Sequence, residues 1–360
     1  MFWRNASAGE RALFCPKTAF VALILLIFTF EGYLLLTRFT ESRKELPPQF
    51  GNFPRNRERL SAEKSREEFA FAVVGDTRGG GTFERIAEEL RDEPLSFAVI
   101  LGDFVSAASE NTHRFFRAEC ADELALPFPV FLIAGNHDIS DSGFPLSRFE
   151  EAYGPTIFSF PYQDCLFVFL RVLNRPESDS DSLEYLRRLI AEDAASKYRR
   201  TFVFMHVPPP ISPDFVAKDY KDTRELVSLL DRLKPDYVIA GDYHGYARVE
   251  RDGAAYLVTG GGGAPLEDAR YGRFHHAVVL KIGERLVSER ILFVEENRDL
   301  EDRLEKYALT GGAYPWMAKH WLLAILLNLA LAGGVFAALR FPRCAPREPG
   351  SALQADRQFH

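Results

Sequence analysis

VFLIAGNHD, residues 130–138, begins as an apolar run without alternation, closes on a glycine, and then delivers an amide, an imidazole and a carboxylate in succession. An unbroken apolar run reads as a strand buried on both faces, the kind found in a sheet covered by helices. Glycine at its end lets the backbone turn sharply, so that the next side chain projects from the strand's C-terminal edge. The pattern recurs. FAVVGD ends at Asp76, FAVILGD at Asp103 and YVIAGD at Asp242, while TFVFMH ends at His206 without a glycine. A single Gly-Asp corner after a strand is an ordinary turn. Repeated corners of this kind and a strand-end histidine, all carrying oxygen or imidazole donors, ask for a joint cause. Carboxylates gathered on one edge would repel and raise one another's pKa unless cations held them. That edge is where open α/β sheets carry their sites, and Asp, Asn and His together suit Mn, Fe, Zn or Co better than Ca or Mg.

Apolar runs predict strands over Phe69–Val74, Phe97–Leu101, Val130–Ala134, Leu166–Leu170, Thr201–Met205, Asp236–Ala240, Ala255–Val258 and Ala277–Ile282. Helical spacing predicts helices over Phe83–Arg91, Thr112–Leu124, Ser182–Ala195 and Asp222–Leu233. Alternation of this kind is an α/β domain whose sheet core is covered by helices.

The set GDTR (75–78), GDFV (102–105), GNHD (135–138), MH (205–206) and GDYH (241–244) resembles the scattered signature of the calcineurin-like metallophosphoesterases, over about Phe69–Ile282. The resemblance implies an α/β fold of two mixed β-sheets sandwiched between helices. It also implies two divalent metal ions that share an aspartate and activate a water for attack on a phosphoester. Carried over motif by motif, Asp76 binds the first metal, Asp103 bridges both, and Asn136 and His206 bind the second. His137 faces the substrate with Asp138 orienting it, and His244 returns to the first metal. Two positions depart from the family pattern. Arg78 stands where Asp-x-His has its histidine, and Asp242 stands where Gly-His-x-His has its first. Asp242 can offer the second metal a carboxylate. Arg78 cannot ligate a cation; it either contacts a substrate phosphate bidentately or pairs with a ligand carboxylate. The expected activity is metal-dependent hydrolysis of a phosphomonoester or phosphodiester. The alternative is a non-catalytic relative that binds a phosphorylated ligand.

The rest of the chain bounds this reading. At 360 residues with a formal charge of −7, it lacks the basic footprint of a nucleic-acid binder. Thr18–Leu36 and Trp321–Leu339 are close to the roughly 20 apolar residues a helix needs to cross a bilayer. No small-x-small cleavage site follows the first, so it reads as a retained anchor rather than a signal peptide. The expected organisation is a tail (1–17), a membrane helix (18–37), a charged stalk (38–68), the α/β domain (69–296), a juxtamembrane helix and linker (297–318), a second membrane helix (319–340) and a C-terminal tail (341–360). Basic residues flanking the spans lean toward cytoplasmic tails and a domain on the non-cytoplasmic side. That placement suggests a membrane-borne phosphorylated substrate. Cys120 and Cys165 are either a bridge or two buried thiols. TGGGGAP (259–265) lacks the Lys-Ser/Thr of a phosphate cradle and reads as a tight loop near the site. His275 and His276 read as structural, and His113, among polar neighbours, as exposed.

Overall fold

The structure is a computed structural model, and it describes residues 16–78, 81–173, 176–211, 223–266, 272–297 and 300–340. Both tails, with Cys15 and Cys344, lie outside these residues apart from Pro16 and Lys17. In chain order the elements are α1 (Pro16–Glu41), α2 (Pro54–Ser61), β1 (Phe69–Val74), α3 (Thr82–Arg91), β2 (Phe97–Ile100), α4 (Glu110–Glu119), β3 (Val130–Leu132), α5 (Leu146–Tyr153), β4 (Phe158–Tyr162), β5 (Cys165–Phe169), α6 (Pro176–Ala191), β6 (Arg200–Met205), α7 (Thr223–Leu233) and β7 (Tyr237–Ala240). They continue with β8 (Tyr246–Arg251), β9 (Ala254–Thr259), β10 (His275–Ile282), β11 (Val287–Val294), α8 (Leu300–Lys306), α9 (Ala313–Lys319) and α10 (Trp321–Arg340).

Two mixed sheets carry the domain. One has the order β11-β10-β1-β2-β3, the other β4-β5-β6-β7-β9-β8. Side chains alternate faces along a strand, and here both faces are apolar. Phe71 and Val73 of β1 point into a core between the sheets, with Phe97, Phe131, Phe167, Phe202 and Phe204. Ala72 and Val74 face the opposite way, toward Ile86 and Leu90 of α3 and Phe116 of α4. On the second sheet, Val203 and Val238 pack under Leu186 of α6 and Leu229 and Leu230 of α7. The result is four layers, helix–sheet–sheet–helix. Its central layer is filled by aromatic pairs such as Phe71 and Phe97, with rings 5.0 Å apart.

Strands β1, β2 and β3 run parallel, as do β5, β6, β7 and β9. Parallel pairing places the ends of β1, β2, β3, β6 and β7 on one edge, which is where the motif residues sit. The strands with no apolar run, β4, β8 and β11, all lie at sheet edges. Pro161 lies within β4, and β8 and β11 alternate exposed with partly buried residues.

Three expectations need correction. The segment read as a stalk is not one: Phe50 bridges Val130, α2 forms, and Phe50, Asn52, Asn56 and Leu60 are buried. Asn52 caps strand β3, its side chain exchanging hydrogen bonds with the backbone of Leu132 (2.7 and 2.9 Å). Charged neighbours masked these few anchoring residues. His113 is buried, not exposed, because Thr112, His113 and Phe116 share the core face of α4. Glycine at the corners, finally, mostly serves space rather than torsion. The residues in the left-handed region are Asp76 (φ 57°), Asp103 (51°) and Asp242 (66°) themselves, and of the corner glycines Gly102 (91°). A Cβ on Gly75 would strike the Thr259 carbonyl, and one on Gly241 would sit 2.9 Å from Asp76 Oδ2.

The terminal helices form a separate unit. Lys17–Glu41 and Trp321–Arg340 are long and apolar enough to cross a membrane. Within that unit Asn328 donates to Glu31 (2.7 Å), satisfying a carboxylate in an otherwise apolar helix. Cys120 and Cys165 are both buried, free thiols.

Candidate metal centre

His206 follows β6, and its ring is held from behind: Nδ1 lies 2.7 Å from the carbonyl of Leu101. A carbonyl only accepts, so Nδ1 carries the proton and Nε2 presents its lone pair forward. In front of Nε2 are three oxygens: Asn136 Oδ1 at 2.9 Å, Asp103 Oδ1 at 3.3 Å and Asp242 Oδ1 at 3.7 Å. Four acceptors converging on one buried point need a cation among them. Burial opposes charge on His206, yet Asp103, Asp76 and Asp242 outweigh it and push its pKa up to about 9. A proton answers the same electrostatic demand that a metal ion would. Atoms bound to one ion at about 2.0–2.2 Å stand roughly 2.8–3.6 Å apart, and this set is close to that spacing.

Asp76 completes the group. It is fully buried, and its Oδ1 has no hydrogen-bond partner. Its Oδ2 accepts from the amide of Asp242 (2.9 Å), joining the two sheets. Asp76, Asp103 and His206 each offer a ligand atom within 4.8 Å of the others. An unpartnered buried carboxylate oxygen is costly unless a cation approaches it. The residues present therefore fit a divalent metal.

The other side of the centre differs. His244 Nδ1 lies 2.7 Å from the carbonyl of Pro265, and its Nε2 faces Asp76 Oδ1 at 3.4 Å. Arg78 Nη2 stands 3.4 Å from the same Nε2 and 3.7 Å from Asp103 Oδ2. Of the two options open to Arg78, pairing with a ligand carboxylate is the one seen. Arg78 has φ 50°, held by the hydrogen bond its backbone N–H donates to the Asp103 carbonyl (2.9 Å) and by Lys306 Nζ donating to its own carbonyl.

The two residues assigned to substrate chemistry part company. His137 is half-buried at the rim, with Nε2 3.8 Å from Asp103 Oδ2. Its ring is oriented by the carbonyl of Ser106, 3.1 Å from Nδ1. Asp138, expected to orient it, does something else. Its carboxylate accepts from the amides of Asp103 (2.8 Å), Gly135 (2.7 Å) and Val105 (3.2 Å). It pins two motif loops together and does not reach the His137 ring, because at the buried turn three amide donors have no other acceptor. His113 Nε2, 2.9 Å from the Asp138 carbonyl, supports the same turn from below. Its helical spacing with Phe116 was the signal for that role. The glycine loop closes over Asp76: the amide of Gly262 bonds the Gly75 carbonyl and that of Ala264 the Asp76 carbonyl, each at 2.8 Å. His275 and His276 are buried beside it and bonded to Gly261 and Thr259.

Residues 69–246 match the family model described as Calcineurin-like phosphoesterase. Those residues belong to that family. Solved structures similar to this chain include a dimetal phosphatase from Danio rerio, 15% identical with a TM-score of 0.47, over 63% of this chain and 97% of that one. Another is a purple acid phosphatase from yellow lupin seeds, 17% identical with a TM-score of 0.49, over 67% and 55%. A third is GAP50, the anchor in the inner membrane complex of Plasmodium, 13% identical with a TM-score of 0.47, over 69% and 96%. No curated protein matches this chain.

Proposed function

We propose that this chain is a membrane-anchored, metal-dependent phosphoesterase acting on a phosphomonoester or phosphodiester. The observation that carries the reading is the convergence of Asp103 Oδ1, Asn136 Oδ1 and Asp242 Oδ1 on His206 Nε2 at one buried point, with a ligand atom of Asp76 within 4.8 Å of those of Asp103 and His206. A divalent ion of the Mn, Fe, Zn or Co class bound there supplies Lewis acidity and a water of lowered pKa. The residues around it do the rest. His137, at the rim with its Nδ1–H held by the Ser106 carbonyl, is placed to donate a proton from Nε2 to the leaving oxygen when its ring is the imidazolium. Arg78 has a buried Nε–H with no acceptor, and its guanidinium can bind a phosphoryl oxygen without moving the metal ligands. Asp138 keeps Asp103 and the turn carrying His137 in register.

A direct test is to incubate the full chain in detergent with Mn²⁺ and aryl phosphate mono- and diesters. Release of the aryl alcohol, abolished by a chelator, is the expected result. Arg78, which departs from the family pattern, favours a second reading in which the site binds a phosphorylated ligand without turnover. Bound metal and saturable phosphate-ester binding with no product would select that reading.

The two apolar helices support anchoring, and the flanking basic residues favour cytoplasmic tails with the phosphoesterase domain on the other side. Such a domain is tethered close to membrane-borne phosphate esters. Topology reporters at Gly283 and after His360 should label opposite sides; the same side for both would remove one span.

A further inference from the structure

Arg78 occupies one half of the centre. Its Nη2 lies 3.4 Å from His244 Nε2 and 3.7 Å from Asp103 Oδ2. Those two atoms, with Asp76 Oδ1, are the donors left for the first metal. A divalent ion drawn between His244 and Asp103 would touch a guanidinium, which stays protonated at any pH the protein tolerates. Placing that ion would require the arginine to leave.

The structure holds the arginine in place. A positive φ at a non-glycine residue is uncommon and is kept only where neighbours over-determine it. At Arg78 those neighbours are the Asp103 carbonyl, which accepts its amide, and Lys306, which donates to its carbonyl. Lys306 ends α8, so a second element contributes to fixing the turn. In the other half, among the described residues, His206 Nε2 faces oxygens of Asn136, Asp103 and Asp242. The exchanged residues also act together. Asp242 adds an anionic donor to the half that accepts a metal, while Arg78 brings a fixed positive charge to the half that does not. Asp76, Asp103 and Asp242 are then balanced by one divalent ion and one guanidinium.

We infer that this phosphoesterase holds one divalent metal, at the His206 half, and that Arg78 stands in place of the second. The inference rests on the metal-centre reading above and departs from the two-metal expectation of the family pattern. Arg78 thereby does part of what a second ion does, presenting positive charge to the substrate phosphoryl group. It cannot lower the pKa of a water, so that function falls to the single metal.

Metal stoichiometry tests this without reference to turnover. The full chain in detergent is loaded with Mn²⁺, dialysed, and assayed for metal per chain and by electron paramagnetic resonance. The expected result is one Mn²⁺ per chain with the resolved hyperfine signal of an isolated ion. Arg78→His, which restores an imidazole donor, should rise to two per chain with the broadened signal of a coupled pair. Two coupled ions in the unmutated protein would overturn the inference and leave the phosphoesterase reading intact. No bound metal would overturn both. A folded Arg78→His chain that stays at one ion would show that Arg78 is not what excludes the second. If that variant fails to fold, the stoichiometry and spectrum of the unmutated chain still decide.

Discussion

The two halves of the centre are built from the same kind of strand end and differ in what stands in front. On one side, among the described residues, His206 Nε2 meets three oxygens. On the other, His244 Nε2 meets one carboxylate oxygen and a guanidinium. Exchanging residues at positions 78 and 242 leaves the net charge of the donor set unchanged relative to two neutral histidines, but moves the charges apart. The lesson is that a motif can keep its total charge while ceasing to be symmetric. What a site can hold depends on where each charge sits, since an interaction at contact distance in a buried site is far stronger than the same interaction through water.

Removing the charge at position 242 should break the difference most visibly. Asp242→Asn keeps the shape and takes away an anionic donor, and even groups that merely support metal ligands alter affinity by about 10–100-fold. Weakening by at least about tenfold, measured by competition with a chelating dye, is expected, and Asp242→His should recover much of the loss. Equal affinity in all three proteins would mean that Asp242 is not a ligand.

A smaller effect separates the scaffold from the centre. His113 lies beneath the turn that carries Asn136 and His137, and burial drives its pKa down to about 3, against the pull of the Asp138 carbonyl. The folded protein keeps it neutral while the unfolded chain protonates near pH 6.5. Its contribution is therefore full above about pH 6.5 and is lost as pH falls toward 3, with a limiting slope of about 1.4 kcal/mol per pH unit. His276, pushed down to about 4 by burial, adds a second such slope. Denaturant unfolding at pH 7 and pH 5 should show His113→Gln losing less stability on acidification than the unmutated chain. Parallel losses would mean that His113 is free to protonate in the fold.

Much of this was legible in the sequence because the central strands are buried on both faces and read as continuous apolar runs. Each run that ended in a polar donor placed that donor on the sheet edge, and Asp76, Asp103, Asn136, His206, Asp242 and His244 do gather there. The hidden parts are those whose signal is not periodic. Strands β4, β8 and β11 lie at edges, where Ser159 and Pro161 in β4 and alternating charged residues in β8 and β11 break the run. Asn52 and Phe50 anchor a charged segment through a few contacts rather than a pattern. Asp138 looked like a partner for its neighbour His137, yet sequence adjacency says nothing about which of several unpaired amides a buried carboxylate will serve. The lysine that steadies Arg78 lies 228 residues away in sequence, and only the fold brings it close.

The most direct test of the account is Asp103→Ala, with metal content and aryl phosphate hydrolysis measured on the same preparation. Asp103 Oδ1 faces His206 while Oδ2 faces Arg78 and His137, so no other side chain touches every part of the centre that matters here. The account predicts that the folded variant retains almost no metal and that hydrolysis falls to background together with it. Metal content equal to that of the unmutated chain would contradict the metal centre described here.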